Sequence, residues 1–135
     1  MRLLDILRNV LVRLGEQASE PPAATSFQTI TESDQLDALF AHSKEGPVII
    51  FKHDPFCSIS SRAYDQVSRV GAAVAMIDVS RDRDLSFDVA DQTGVKHESP
   101  QIVVLRDGAT FWHASHGSIT TRTVRDALER ASTTV

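Results

Sequence analysis

Cys57 is the only cysteine in the 135-residue chain. It follows a short apolar run, Val48-Ile49-Ile50-Phe51, and then the turn His53-Asp54-Pro55-Phe56. After it comes Ser58-Ile59-Ser60-Ser61-Arg62-Ala63-Tyr64, which reads as an opening helical turn. A thiol at a helix N-terminus sits at the positive end of the helix dipole, beside backbone N–H groups that lack intrahelical partners. Both favour the thiolate, and the thiolate is the nucleophile. With no second cysteine to close a ring, such a group shares its chemistry with an outside thiol.

The other side chains suited to chemistry are histidines and hydroxyls. His53, His97, His113 and His116 offer imidazoles, but one cysteine and no H-x-x-x-H spacing do not make a zinc site, so no metal is expected. His53 precedes Cys57 by four residues; it either tunes the thiol or is a capped or solvated side chain at a strand end. Ser60 lies one helical turn after Cys57, where its hydroxyl either donates to the thiolate or satisfies backbone groups at the helix start. Ser118 and Thr120 open the last expected helix, as ordinary N-caps or as a cradle for the carboxylate of a small thiol.

The elements that would position these groups follow from pattern. The length suits one domain with a real core, and 41% hydrophobic with 24% charged residues is ordinary for a soluble globular chain. A net charge of −4 with no basic stripe argues against a nucleic-acid surface. A single cysteine excludes an internal disulfide framework and suits a reducing cytosol.

Residues 1–14 carry apolar side chains at helical spacing, interrupted by Arg2, Asp5, Arg8 and Arg13. This is an amphipathic helix, too short and too charged to span a bilayer. It is expected to pack on the domain or a partner subunit, with contact to a membrane surface or a frayed tail as the alternatives. Residues 15–26, with Pro21-Pro22, read as a linker, and the compact domain as residues 27–135. Within it, Thr31-Glu32-Ser33-Asp34 caps an amphipathic helix that carries Leu36, Leu39 and Phe40 and ends near Lys44-Glu45-Gly46, and Val48 to Lys52 is a buried strand. The helix opened by Cys57 is expected to run to about Val70, with Ile59, Ala63, Val67 and Val70 on its apolar side. Val74 to Val79 is a second strand, Leu85 to Thr93 a short helix closed by Gly94, and Gln101 to Leu105 a third strand. Asp107-Gly108 turns into a last strand over Ala109 to Ala114, where one of Phe111 and Trp112 is expected in the core. Thr120 to Ala131 is the last helix.

Strands alternating with helices, closed by a hairpin, imply an α/β fold with a mixed sheet of about four to five strands and helices on both faces. That order is thioredoxin-like. Two local features agree: Cys57 opens a helix after the first central strand, and Ser99-Pro100 stands immediately before the third strand, where thioredoxin-like proteins have a cis-proline against the active cysteine.

The strings Phe51-Lys52-His53, Cys57-Ser58-Ile59-Ser60, Val95-Lys96-His97-Glu98-Ser99-Pro100-Gln101 and Trp112 to Thr120 together resemble the monothiol bacilliredoxin family of the YtxJ-like type, over about residues 27–131. The resemblance implies a monothiol thiol–disulfide oxidoreductase of the cytoplasm with Cys57 as nucleophile. It implies that Phe56, Ser58, Ile59, Ser60, Ser99, Pro100 and Ser118 bind the partner disulfide, with Ser60 where dithiol relatives place the resolving cysteine. No cofactor is implied as tightly bound; bacillithiol or a similar low-molecular-weight thiol is the co-substrate, and bacillithiolated proteins are the clients. The family pattern reads Thr-Cys-Pro-Ile-Ser, whereas Ser58 replaces the proline here, returning an N–H that either adds a donor near Cys57 or loosens the turn. Two other readings stay open: a thioredoxin-like docking module without chemistry, and a redox sensor modified at Cys57 or paired through it.

Overall fold

The computed structural model describes residues 24–133. The expected helix over residues 1–14, and most of the expected linker, lie outside them. The described elements are β1 (Ser26–Thr29), α1 (Ser33–His42), β2 (Val48–His53), α2 (Ser58–Val67), β3 (Ala73–Asp78), α3 (Arg83–Thr93), β4 (Gln101–Arg106), β5 (Ala109–Ser115) and α4 (Thr121–Thr133). A single 3₁₀ turn, His116–Ser118, joins β5 to α4.

The strands form one sheet in the order β1-β3-β2-β4-β5. β3 runs parallel to β1 and β2, whereas β4 runs antiparallel to both β2 and β5. β2 is central and buried along its whole length, as an apolar run covered on both faces requires. Its side chains alternate. Ile49 and Phe51 join a cluster with Ala63 and Val67 of α2 and Val124 and Ala127 of α4. Val48 and Ile50 join a second cluster with Leu36 and Leu39 of α1 and Leu85 and Val89 of α3. The mixed sheet flanked by helices on both faces is the one expected.

Three local features differ from the sequence reading. β1 has no strand signal of its own in the sequence: only Phe27 of its four residues is large and apolar, and the preceding Pro21-Pro22 reads as linker. Pairing with β3, from Ser26↔Ala73 to Thr29↔Met76, makes it a strand. Thr25 joins it, its Oγ1 donating to Val67 O and accepting from Gly71 N–H, so the folded part begins before Phe27.

Ile59 does not face the core; it is half-exposed while Ser60 is fully buried. The buried positions of α2 are Ser60, Ala63 and Val67, one stripe at helical spacing, and Ile59 lies one step around the helix from it. The helix also stops at Val67 rather than near Val70.

Finally, Phe111 and Trp112 both pack on the cluster beneath α2 and α4. Their neighbours explain it: Val104 pairs Trp112 while Leu105 pairs Thr110, so Phe111 is the extra residue of a bulge. A bulge breaks the alternation that would send one ring to each face.

Candidate active site

The site is built on the C-terminal end of β2. Beyond His53 the chain turns back: Phe56 N–H donates to Asp54 Oδ1 at 2.9 Å and Cys57 N–H donates to Asp54 O at 3.1 Å. This turn delivers Cys57 to the N-cap of α2 in extended geometry, φ −112° and ψ 127°. Its carbonyl accepts the first helical bond from Ser61 N–H at 3.0 Å. No side chain caps this helix, so the first-turn amides, which lack carbonyl partners within a helix, are left for the group at the N-cap. Cys57 is free and half-buried. Phe56 and Ile59 flank it in the chain, the former 87% exposed. Ser58 is the exposed first residue of the helix.

Ser60 takes the second of its two expected roles. Its Oγ accepts the Asp54 N–H at 2.8 Å and lies 2.7 Å from His53 Nδ1. The hydroxyl has one proton, and with the Asp54 amide as donor that proton is directed to the imidazole when Nδ1 is the unprotonated nitrogen. Burial pushes the His53 pKa below its usual value, against the opposing pull of the Asp78 and Asp54 carboxylates, so the neutral ring prevails at neutral pH. The ring is wedged between Phe51 and Tyr64, with centroids 5.5 and 5.0 Å away, and Tyr64 stacks on Phe27 at 4.7 Å. Ser60 thus ties the Cys57 turn to a fixed aromatic column. Its hydroxyl is committed to His53 and Asp54 rather than to the thiol.

The opposite wall is the segment before β4. The Ser99–Pro100 peptide is cis, as expected, and Pro100 is buried. Lys52 of β2 is the register partner of Gln101, so the turn after β2 and the loop before β4 leave the sheet at the same end, side by side. Pro100 O accepts from His116 N–H at 3.1 Å, and His116 Nε2 lies 3.8 Å from Glu98 Oε2. His116 adopts a positive φ of 52°, where the chain swings from β5 into the 3₁₀ turn, and that turn packs on α2. Ser118 is exposed on it. Ser99 Oγ is buried without a hydrogen-bond partner among the described residues.

The N-terminus of α4 is closed by its own side chains. Thr120 and Thr123 cap each other reciprocally, at 3.1 and 3.0 Å, and Gln66 Oε1 accepts the Thr121 N–H at 2.9 Å. Of the two readings for this helix start, Thr120 takes ordinary capping, and a carboxylate there would have to displace these bonds; Ser118 contributes only its backbone carbonyl, which accepts from Thr123 Oγ1 at 3.0 Å.

A match to the family model described as monothiol bacilliredoxin BrxC covers residues 28–124. The chain belongs to the monothiol bacilliredoxin family. Among solved structures it is similar to a protein described as a candidate oxidoreductase with a thioredoxin fold: 31% identity, 75% of this chain and 92% of that one, TM-score 0.70. A single-residue variant of the thioredoxin of Halobacterium salinarum shares the fold at 20% identity over 87% and 97% of the two chains, TM-score 0.64. So does the thioredoxin of Fasciola hepatica at 15% identity over 77% and 98%, TM-score 0.62. Bacilliredoxin membership and the fold assign this chain to thiol redox chemistry. Among the described residues no histidine, cysteine and carboxylate cluster suited to a metal is found, and no helix is long and apolar enough to cross a membrane.

Sequence reasoning passed over one element of this bacilliredoxin site, the polar pair beneath the proline loop. Lys52 is wholly buried and its Nζ lies 3.1 Å from His97 Nδ1; burial lowers its pKa to about 8. The signal was available: position 52 shares a strand face with Val48 and Ile50, so period two places a lysine in the core.

Proposed function

We propose that the protein removes a low-molecular-weight thiol, bacillithiol or a close relative, from protein mixed disulfides in the cytosol. The Cys57 thiolate attacks the sulfur of the small thiol. The client sulfur leaves as thiolate, and a new disulfide joins Cys57 to the small thiol. A second small-thiol thiolate then attacks that adduct, releasing the small disulfide and restoring the Cys57 thiolate. Each step exchanges one S–S bond for another, so no further electron carrier is needed.

The observation that carries this reading is the pairing of an uncapped helix start at Cys57 with a buried, fully engaged serine at position 60. The first supplies a nucleophile; the second leaves no internal thiol to resolve the adduct. Phe56 and Ile59 would form the apolar rim against the client, with Ser58 and Ser118 at its edges. The backbone at Ser99, held by cis-Pro100, would pair with the disulfide-bearing segment, as strand-edge amides and carbonyls readily do.

Mass spectrometry after exposure to oxidised bacillithiol tests the proposal. One adduct on Cys57, removed by excess bacillithiol, is expected. An unmodified Cys57, together with full client-releasing activity in Cys57→Ala, would sink it.

A further inference from the structure

The loop that carries Pro100 is gripped from within the sheet. Lys52 and Gln101 are register partners on β2 and β4, so their side chains stand together on one face. That face is the one covered by α1 and α3, away from α2. Both are buried, at 0% and 1% exposure. Lys52 Nζ meets His97 Nδ1 at 3.1 Å, and Gln101 Nε2 donates to Lys96 O at 2.9 Å. An ammonium only donates, so His97 Nδ1 is the unprotonated acceptor. Among the described residues no carboxylate forms an ion pair with Lys52. Burying an ammonium without an anion is costly, and an apolar side chain would fill the same space without that cost. What distinguishes lysine here is the bond to the loop.

We propose that Lys52 and Gln101 are positioning residues for client docking: they hold the consecutive residues 97 and 96, and through them fix Ser99–Pro100 as a docking edge beside Cys57. The inference rests on the reading that this edge receives the client. It carries a pH dependence, because the bond from Lys52 needs neutral His97. The groups facing His97 are Lys52 from β2, Arg83 and the Phe87 ring from α3, and Glu98 from the loop itself. Burial first, then Lys52 and Arg83, lower the His97 pKa, and only Glu98 opposes them. His97 therefore accepts at neutral pH and loses that capacity in acid.

The test compares two rates on the full chain. kcat/KM for a model protein carrying a bacillithiol mixed disulfide is divided by the rate constant for Cys57 alkylation with iodoacetamide, so that the thiolate fraction cancels at each pH. Lys52→Met and His97→Ala should each lower this ratio about tenfold, mainly through KM, as loss of a buried bond from a charged donor implies. His97→Asn, whose Oδ1 accepts from Lys52 at any pH, should keep the ratio and remove its fall in acid. A ratio unchanged in both Lys52→Met and His97→Ala, or a fall of the ratio in acid that His97→Asn retains, overturns the proposal.

Amide hydrogen exchange separates this failure from failure of the functional reading. If even wild type does not act on the mixed disulfide, faster exchange confined to residues 95–99 in Lys52→Met still sustains the latch. Unchanged exchange there removes it.

Discussion

Replacing Ser60 with alanine separates two roles for its hydroxyl. In the structure Ser60 is wholly buried, and its Oγ is the shared partner of the Asp54 amide and His53 Nδ1. Alanine fits the space and removes only the oxygen, leaving both groups without that partner. Stranding a buried polar group costs about 1–3 kcal/mol; the half-buried Asp54 amide belongs at the low end and the enclosed imidazole higher. Together these give about 3 kcal/mol. For a domain of this size 1 kcal/mol moves the melting temperature by roughly 3–4 °C, so Ser60→Ala should melt roughly 10 °C below wild type. Thermal unfolding followed by circular dichroism reads that directly. Below the transition, Cys57 alkylation by iodoacetamide should proceed within about twofold of wild type, since no charge-assisted bond to the thiolate is lost. The opposite pattern would refute the reasoning. A variant that melts within about 2 °C of wild type, yet alkylates several-fold more slowly, would show that the hydroxyl serves the sulfur.

Three further outcomes follow from other parts of the molecule. The Lys52 pKa is about 8 when folded against 10.5 as a free side chain, so between those values the unfolded chain binds more protons and stability rises with pH. The rise has an upper bound of roughly 3 kcal/mol, and urea titrations from neutral to alkaline pH should show it in wild type and not in Lys52→Met. Phe56→Ser and Ile59→Ser remove exposed apolar surface, so each should leave stability within about 0.5 kcal/mol while raising KM for a protein mixed disulfide more than for a small one. Ser60→Cys puts a thiol one helical turn from Cys57; mild oxidation should yield a species two mass units lighter by intramolecular disulfide formation, and persistence of two free thiols under those conditions would count against the placement of Ser60.

Much of this architecture was legible in the sequence, and the exceptions share a cause. The run Val48 to Phe51 followed by Asp54-Pro55 identifies a buried strand and its turn from local chemistry alone, and Gly94, at φ 72°, closes α3 as a glycine after a helical pattern should. The cis bond before Pro100 came through family resemblance, because nothing in Ser99-Pro100 itself distinguishes cis from trans. β1 is not legible because four residues with one large apolar side chain have no periodicity to read; only β3 makes them a strand. The bulge at Phe111 is likewise a property of the β4–β5 pairing, invisible within β5. Ser60 was recognised as a candidate, but its partner was not, since local spacing says nothing of an imidazole rising from the strand beneath. Lys52 and Gln101 belong together only across the ladder, 49 positions apart in numbering and adjacent in space.

The adjacency of Lys52 and His53 has a consequence for how the two halves of the site move. His53 anchors the cysteine turn from one side of the sheet and Lys52 anchors the proline loop from the other, and both hang from consecutive α-carbons of the most deeply buried strand. The gap between the Cys57 turn and the Ser99–Pro100 loop is therefore referenced to one short piece of backbone, two consecutive residues of β2. For the exchange proposed above, in which a client disulfide meets both the Cys57 turn and that loop, a constant gap is worth more than a rigid molecule.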